Sequence, residues 1–449
     1  MSSKKRMHLS PPLIIFLSVV GTIFIGTALL ALPWSQEHPI SYIDLLFTAT
    51  SMTCVTGLTT VPLSSFTPFG KAIILILIQI GGLGLVTLTM SLMSLFMNFG
   101  FATQLMAGKI FELESWHNIK RLILFILGIT LFFELIGTGV IYWVLYDHYP
   151  HYDALFLSAF HAISSFCNGG ISLIDKNRLL DIASPIMIVT TTILILSGGL
   201  GFITWKEILL YIRSIRRKKK YHFSLSSKIV LYATGLFIAL STIIIFALEY
   251  SHSFAHMSLP QALLNSFFYA VSFRGTGFLT VDIHSFHNAT LFLALITAFI
   301  GSSPVSTGSG IKLTTLAIFF ATIKSAISER NAVEIKERSI EKDQVNKAFA
   351  IVSLSLIWIT LTIFCLLIIE SHHNFFPLFF ETISAFTTLG LSTGITASLS
   401  TLGKVIITIS MLIGRIGSLT LVLALRSFTL KRTHDVTEFS YPKERVILT

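Results

Sequence analysis

The sequence predicts an all-α integral membrane protein of four tandem repeats, each consisting of a membrane span, a short re-entrant helix and a second span. Composition is the first of three observations behind this prediction. The chain is 53% hydrophobic and only 12% charged, with a mean hydropathy of +0.79, so it lacks the charged surface of a soluble domain. The other two are a glycine-containing loop that recurs four times, and the short apolar segment that precedes each loop.

The first loop comprises residues 53–58, with the sequence TCVTGL, and its counterparts are residues 167–171, 274–278 and 387–391. Their central glycines, at positions 57, 170, 277 and 390, lie 113, 107 and 113 residues apart, which indicates one unit used four times. Two further columns support that register. A phenylalanine stands ten residues before each glycine, and another glycine stands 24, 28, 24 and 24 residues after it. These residues are Phe47, Phe160, Phe267 and Phe380, then Gly81, Gly198, Gly301 and Gly414.

The length of each apolar run separates spans from short helices. A hydrocarbon core of about 30 Å requires roughly 20 apolar helical residues. The predicted spans are residues 13–33, 71–97, 119–145, 185–212, 228–249, 289–327, 347–369 and 402–425, and the predicted short helices are 42–53, 154–166, 261–272 and 377–386. The four repeats are then residues 13–110, 111–220, 221–330 and 331–427, between cytoplasmic segments 1–12 and 428–449.

The distribution of charge predicts the orientation in the membrane. Lysine and arginine gather near the N-terminus, at 213–220 and at 324–347, whereas acidic residues and histidines dominate the opposite loops. Since basic loops mark the cytoplasmic side, we expect both termini in the cytoplasm and the glycine loops outside. Because the basic runs adjoin span ends, they favour contact with membrane lipids over nucleic-acid binding. The cysteines Cys54 and Cys167 fall in the glycine loops, where they are expected to be small, weakly polar filler.

Four irregular loops at membrane depth favour an ion pathway. Such backbone is tolerated only where protein buries it or a water-filled cavity adjoins it. A single glycine loop is more simply interpreted as a tight turn between helices. Four loops in register, each after a short helix, instead predict eight transmembrane helices and four re-entrant pore helices around a pseudo-fourfold pore. Rings of carbonyl oxygens in such a pore can replace the hydration shell of a cation.

One predicted span, residues 289–327, is interrupted by glycine, serine and proline at 301–310. These residues break a helix, although small residues also allow close helix packing. Arg415 lies inside the last span, where an arginine is costly enough to be a functional candidate, and the interrupted run is its expected partner. Lys312 is a second such cation. Glu134 and Glu381 are the acids expected at membrane depth, with Glu381 bracing the fourth loop.

The sequence resembles the Trk/Ktr/HKT superfamily of potassium transporters, and most closely their membrane subunit of the KtrB/KtrD type. The resemblance covers nearly the whole chain and is carried by residues 55–58 (VTGL), 161–164 (HAIS), 308–315 (GSGIKLTT) and 413–417 (IGRIG). It implies a selectivity filter that coordinates K+ through its carbonyls and an intramembrane gating loop. The implied filter residues are Val55, Thr56, Gly57, Asn168, Gly169, Gly170, Thr276, Gly277, Thr388, Leu389 and Gly390, and the implied gate residues are Gly301, Ser302, Ser303, Ser306, Thr307, Gly308, Ser309, Gly310, Lys312 and Arg415.

The same resemblance implies further properties of the protein. Relatives with serine at the first filter position tend to be sodium-selective, so four glycines imply a preference for potassium, which is the transported ion. The family also implies a bacterial plasma-membrane location, a homodimer, and a cytoplasmic nucleotide-binding regulatory ring of the RCK type (KtrA/KtrC-like). No nucleotide site is visible in this sequence.

The main alternative is a secondary active transporter that binds a small substrate with broken helices at the membrane midplane. That architecture predicts two related halves with one or two discontinuous spans, whereas this chain shows four related quarters. A membrane enzyme is disfavoured, because the histidines fall mainly in the outer loops and are not paired with carboxylates inside spans. His161 is the exception, and we expect it to be a packing residue of its short helix.

Overall fold

The computed structural model describes residues 11–83, 116–174, 184–330 and 332–429. Most of these residues are helical. The α-helices are α1 (Pro11–Leu30), α2 (Tyr42–Thr53), α3 (Pro68–Gly82), α4 (Trp116–Leu145), α5 (His151–Phe166), α6 (Pro185–Gly199), α7 (Phe202–Arg216), α8 (Leu225–Glu249), α9 (Leu259–Ser272), α10 (Asn288–Phe299), α11 (Leu313–Ile327), α12 (Lys342–Ile369), α13 (Phe375–Thr387), α14 (Thr401–Ile416) and α15 (Ser418–Thr429). Single 3-10 turns occupy Pro33–Ser35, Leu63–Ser65, Ile283–Ser285 and Thr396–Ser398, and strands β1 (Glu334–Ile335) and β2 (Arg338–Ser339) pair antiparallel.

The short helices stand close to where the sequence predicts them. Helix α2 has the predicted bounds, α5 and α9 begin three and two residues earlier than predicted, and α13 begins two residues earlier and ends one residue later. Side chains cap several of the helices, as where Ser41 accepts a hydrogen bond from the backbone of Asp44 at the start of α2. Most of the predicted terminal segments 1–12 and 428–449, and the second half of the predicted span 71–97, lie outside the described residues.

Four of the described helices, α1, α4, α8 and α12, are long and apolar enough to cross a membrane, and a fifth span is possible if α6 and α7 are counted together. Their outer faces are apolar. Phe24, Leu135 and Ile243 each expose more than half of their surface. Their inner faces carry buried polar residues instead, among them Thr130 and Glu134 on α4. This inside-out distribution suits a hydrocarbon solvent, where apolar side chains lose nothing by facing outward.

Two spans that the sequence predicts as continuous are broken. The predicted span 185–212 divides into α6 and α7, which meet at an angle of 101°. The break falls at Gly201, whose φ of +86° only glycine adopts readily, and a Cβ there would press on the Pro304 carbonyl. The predicted span 402–425 likewise divides into α14 and α15 at Gly417, which has a φ of +91°. The interruption predicted within 289–327 is present, since α10 ends at Phe299 and α11 begins at Leu313.

The helices close into a ring in chain order. One buried apolar cluster joins α2 and α3 to α4, α5 and α6, and a second joins α8, α9 and α10 to α13. A third cluster joins the two ends of the chain, because Phe47 of α2 packs with Leu378 of α13 and Met411 of α14. Helix α1 also packs against α15. The four short helices are thereby held around a common centre.

Candidate functional site

Each short helix leads into one of the four glycine loops. Three of the loops begin with a non-glycine residue in the left-handed region, namely Val55, Asn168 and Thr388, with φ between 52° and 63°. The third loop has Gly275 in this stretch, with a φ of 131°. A left-handed residue other than glycine costs about 1–2 kcal/mol, so the surrounding contacts must hold these loops in place.

The central glycines bring the four loops together in a closed ring. All four have φ between 65° and 97°. A Cβ added to any of them would collide with a backbone carbonyl of the next loop, and the residue bearing that carbonyl always precedes the neighbour's central glycine. Because side chains are excluded, peptide groups alone line the closest approach. The pairs, glycine first, are Gly57 with Gly169, Gly170 with Thr276, Gly277 with Leu389, and Gly390 with Thr56.

A serine in each short helix anchors the loop that follows. Its carbonyl accepts a backbone N–H of the loop, as where Ser51 accepts from Thr56 at 2.7 Å and Ser384 accepts from Leu389 at 2.9 Å. Its hydroxyl makes a second bond, to Gly57 N in the first loop and to the Leu391 carbonyl in the fourth. All four serines are fully buried, and the sequence analysis missed them. They are Ser51, Ser164, Ser272 and Ser384.

This serine column also corrects the phenylalanine column in the third repeat. The predicted member, Phe267, is 38% exposed, whereas Phe47, Phe160 and Phe380 are fully buried. Its neighbour Phe268 is buried and stands four residues before Ser272, the same offset that separates the other phenylalanines from their serines. The third loop is therefore one residue shorter between serine and central glycine, and the ten-residue count selected the wrong phenylalanine.

Buried side chains behind the ring connect the second loop to the third loop, to the segment between α10 and α11, and to the end of α5. Asn168 of the second loop accepts a hydrogen bond from Thr276 of the third loop at 2.9 Å. Its amide nitrogen donates to Thr307 Oγ1 at 2.7 Å, and that hydroxyl donates in turn to the carbonyl of Phe166, the last residue of α5. All four residues are buried. Thr307 is thus hydrogen-bonded directly to the second loop and to the helix that precedes it.

Replacing Thr307 with valine, which has nearly the same shape, is expected to destabilise the protein by about 1–3 kcal/mol. The change leaves the buried Asn168 amide and Phe166 carbonyl without this partner. Thermal unfolding in detergent measures the effect. Thr190→Val is the matched control, because the exposed Thr190 hydroxyl bonds only to Ile186 of its own helix. Equal midpoints for both variants would show that the Thr307 bonds do not hold the ring.

The segment between α10 and α11, residues 300–312, lies against the break between α6 and α7. Backbone N–H groups of Ser303 and Thr307 donate to the carbonyls of Gly199 and Gly198, each at 3.2 Å. In return, Phe202 N donates to the Val305 carbonyl at 2.9 Å. Seven residues of the segment are buried although most of its residues are small or polar. These bonds satisfy backbone groups that no helix satisfies.

Arg415 of α14 connects the 300–312 segment to the opposite side of the ring. Its guanidinium donates to the Thr307 carbonyl at 2.7 Å and to Ser309 Oγ at 2.8 Å, and it also donates to the carbonyl of Gly81 near the end of α3. Lys312 Nζ donates to the Gly308 carbonyl at 2.6 Å. Among the described residues, neither cation forms an ion pair with a carboxylate, so carbonyl dipoles balance both charges.

The second glycine column supports the short helices from behind. A Cβ at Gly81, Gly198 or Gly414 would collide with the carbonyl at the end of a short helix, at Thr53, Phe166 and Phe386 respectively. Gly301 differs, because a Cβ there would collide with Ser309 of its own segment. Glycine at three of these positions therefore lets the second span of a repeat approach the start of its loop.

The remaining singled-out residues occupy supporting positions. Gln79 donates to Glu134 at 3.2 Å, and Thr396, which follows the fourth loop, donates to Glu381. The His161 ring lies 3.0 Å from Thr191 Oγ1 and 3.2 Å from Ser172 Oγ, in keeping with a packing role. Cys54 and Cys167 are buried free thiols. Arg274 of the third loop donates to the Gly301 carbonyl at 3.4 Å, and its Nε has no hydrogen-bond partner among the described residues.

Comparison with known proteins bears out the resemblance. Residues 13–430 match the TrkH family, described as cation transport proteins. The chain is 36% identical to Ktr system potassium uptake protein B of Bacillus subtilis over 422 residues, covering 93% of each, and 34% identical to the protein of the same name from Vibrio alginolyticus over 441 residues, covering 97% of this chain and 94% of that one. The crystal structure of the potassium transporter TrkH from Vibrio parahaemolyticus shares the fold, with a TM-score of 0.72 and 19% identity over 94% of this chain and 86% of that one.

Proposed function

Because the chain belongs to the TrkH family of cation transport proteins, which are transporters and not enzymes, we propose that it takes up potassium ions across the plasma membrane. The apolar helices and the family make it a multi-pass membrane protein. Two relatives that match over more than nine tenths of their length are named potassium uptake proteins. The observation that carries the proposal is the closed ring of four loops whose carbonyls face neighbouring glycines.

In this proposal the ring is the selectivity filter, and potassium is the transported substrate. The filter residues are those of the four loops that the resemblance implies, with Gly57, Gly170, Gly277 and Gly390 at the closest approach. Carbonyl oxygens replace the hydration shell of the ion. The short helices end at the ring, so their C-terminal dipoles favour a cation there by about 0.3–1 kcal/mol each at ordinary exposure.

The proposed architecture is four span, pore-helix, span units around a pseudo-fourfold axis, with the four repeats bounded as the sequence predicts. The first spans are α1, α4, α8 and α12, and the pore helices are α2, α5, α9 and α13. Within the part of the chain that the structure describes, three of the second spans are broken, into α6 and α7, α10 and α11, and α14 and α15. Both termini are placed in the cytoplasm on the basis of the basic loops.

The 300–312 segment is proposed as the gate. It hydrogen-bonds to the chain directly behind the second loop through Thr307, and Arg415 clamps it to α3. Small side chains line it, so it can shift with little steric resistance. Release of the Arg415 clamp would therefore free the segment to leave the ion pathway.

The proposed partners are a second copy of the chain and a soluble regulatory subunit. The family resemblance supports a homodimer and a nucleotide-binding ring on the cytoplasmic side. Charge on this chain supports a docking surface there, because Arg213 and Arg216 lie in the last turn of α7, and Lys336 of the charged β1–β2 hairpin lies over the ring of Tyr232 in the helix that follows.

The proposal is tested by rubidium tracer uptake into liposomes that contain the purified protein. With an inside-negative potential we expect saturable uptake that potassium suppresses at lower concentrations than sodium does. Liposomes without protein give the background, and valinomycin added to them shows that the potential is present. Uptake no greater than this background, from protein that is folded and monodisperse before reconstitution, would contradict the proposed function.

A further inference from the structure

Two clusters of one glutamate and two histidines lie at the ends of first-span helices, outside the ring. One is Glu249, His252 and His287 at the end of α8, and the other is Glu370, His372 and His373 at the end of α12. In each, the possible ligand atoms of the three side chains lie within 4.8 Å of one another. The clusters differ in how the carboxylate is used, and that difference singles out the second.

Glu370 is a fully buried carboxylate with one oxygen unoccupied. Its Oε1 accepts hydrogen bonds from the backbone N–H and the hydroxyl of Ser400, at 2.8 and 2.5 Å. Its Oε2 is buried and has no hydrogen-bond partner among the described residues. Leaving a charged oxygen buried without a partner is costly, so this atom calls for a donor or a cation that the protein side chains do not supply by hydrogen bonding.

The unoccupied oxygen faces the two histidines. His372 Nε2 lies 3.6 Å from Glu370 Oε2, and the two imidazole rings stand 4.2 Å apart between their centroids. Zinc binds imidazole nitrogen and carboxylate oxygen at about 2.0–2.2 Å, so its tetrahedral ligands lie roughly 3.3 Å from one another. The His372 side chain is 61% exposed, which leaves the cluster open to solvent.

We propose that Glu370, His372 and His373 bind a divalent cation of the zinc class. Two imidazoles with one carboxylate suit zinc and its transition-metal neighbours, whereas magnesium and calcium prefer oxygen ligands alone. Ser400 holds the carboxylate in place, as partners of metal ligands commonly do. Solvent access leaves a fourth position for water.

The first cluster has the same residue types but a saturated carboxylate. Glu249 Oε1 accepts from His287 N and from Thr290, and Oε2 accepts from Ser253 at 2.6 Å. Both carboxylate oxygens of Glu249 therefore already have hydrogen-bond donors. This cluster therefore provides a matched control within the same chain.

The site would fix the start of a short helix. His373 immediately precedes Asn374, the N-cap residue of α13, and its Nε2 lies 3.2 Å from Ser398 Oγ in the turn after the fourth loop. A bound metal would thus hold the start of α13 close to the turn that follows the fourth loop. The metal site lies outside the ring, so zinc binding there does not depend on potassium uptake.

Zinc titration of the full-length protein, purified with a tag that contains no histidine and stripped of metal, tests the site. Calorimetry at a pH where imidazole is neutral should show saturable binding. In the His372→Gln/His373→Gln variant we expect the affinity to fall at least about 10-fold. The His252→Gln/His287→Gln variant should bind as the unmodified protein does. X-ray absorption of the zinc complex should show nitrogen and oxygen ligands at about 2.0–2.1 Å.

The outcomes separate the proposal from its rivals. The thermal midpoint of the metal-free His372→Gln/His373→Gln protein is compared with that of the His252→Gln/His287→Gln variant, because each substitution also removes side-chain contacts. Comparable midpoints show that both variants are folded, so lost binding reports lost ligands. Unaltered affinity in that variant would overturn the proposal. Loss only in the His252→Gln/His287→Gln variant would also overturn it, by placing the site at α8. Two zinc ions per chain, one of which disappears in His372→Gln/His373→Gln, would support it.

Discussion

Replacing Gly57 with serine is expected to reduce the discrimination between potassium and sodium at least about tenfold. The glycine has a φ of +97°, and a Cβ there would stand 2.7 Å from the Gly169 carbonyl of the second loop. Serine must therefore displace one of the four carbonyls that make the ring, at a backbone cost of about 1–3 kcal/mol. A tenfold loss of discrimination corresponds to a change of about 1.4 kcal/mol in the difference between the binding free energies of the two ions. That change is within the range of the backbone cost.

Competition between rubidium and sodium for uptake into liposomes measures this discrimination. Gly21→Ser is the matched control, because no atom would lie within 4 Å of a Cβ at Gly21 in α1 and its φ needs no glycine. The control should keep the selectivity of the unmodified protein. If Gly57→Ser takes up both ions in the original ratio, the ring is not the filter.

Replacing Arg415 with alanine is expected to raise potassium flux about tenfold. The arginine makes three hydrogen bonds that hold the 300–312 segment against α3. Bonds from a charged group contribute about 1.5–3 kcal/mol each, so loss of the clamp shifts the segment towards its displaced position by at least a factor of ten. The rate of tracer uptake per inserted protein measures the shift.

Arg415→Lys is the informative companion. Lysine keeps the positive charge, but its compact ammonium lacks the planar fork that reaches Thr307, Ser309 and Gly81 together. We expect a flux between those of the unmodified protein and the alanine variant. Unchanged or abolished flux in correctly inserted Arg415→Ala protein would contradict the gate, and equal fluxes in both variants would assign the effect to geometry alone.

The sequence predicted the short helices because their length is set by elementary rules. Apolar runs too short to span a bilayer, each followed by a glycine-containing loop, placed α2 at its observed bounds. It did not predict the bend at Gly201. The sequence identifies Gly198 only as a member of the second glycine column, and the contact of Gly201 with Pro304, about a hundred residues further on, shows why the helix must end.

The site was predicted in part for a similar reason. Glycine is distinctive in a sequence because it readily adopts positive φ, so the ring positions could be predicted from the glycine spacing. The serine anchors are equally regular, with Ser51, Ser164 and Ser384 each six residues before the central glycine. Serine is common in helices and loops, however, and the third repeat breaks the count by one residue. The bonding partner of each hydroxyl depends on the fold, which no spacing reveals.

The closure of the ring through the two ends of the chain has a consequence for biosynthesis. Arg415 reaches Gly81 across 334 residues of sequence, and Phe47 completes its apolar cluster only with Leu378 and Met411. A ribosome adding about 5–20 residues per second needs about 17–70 s to make that stretch. During this interval α2 and α3 lack their contacts with α13 and α14. The nascent chain is therefore a target for insertion chaperones and membrane proteases.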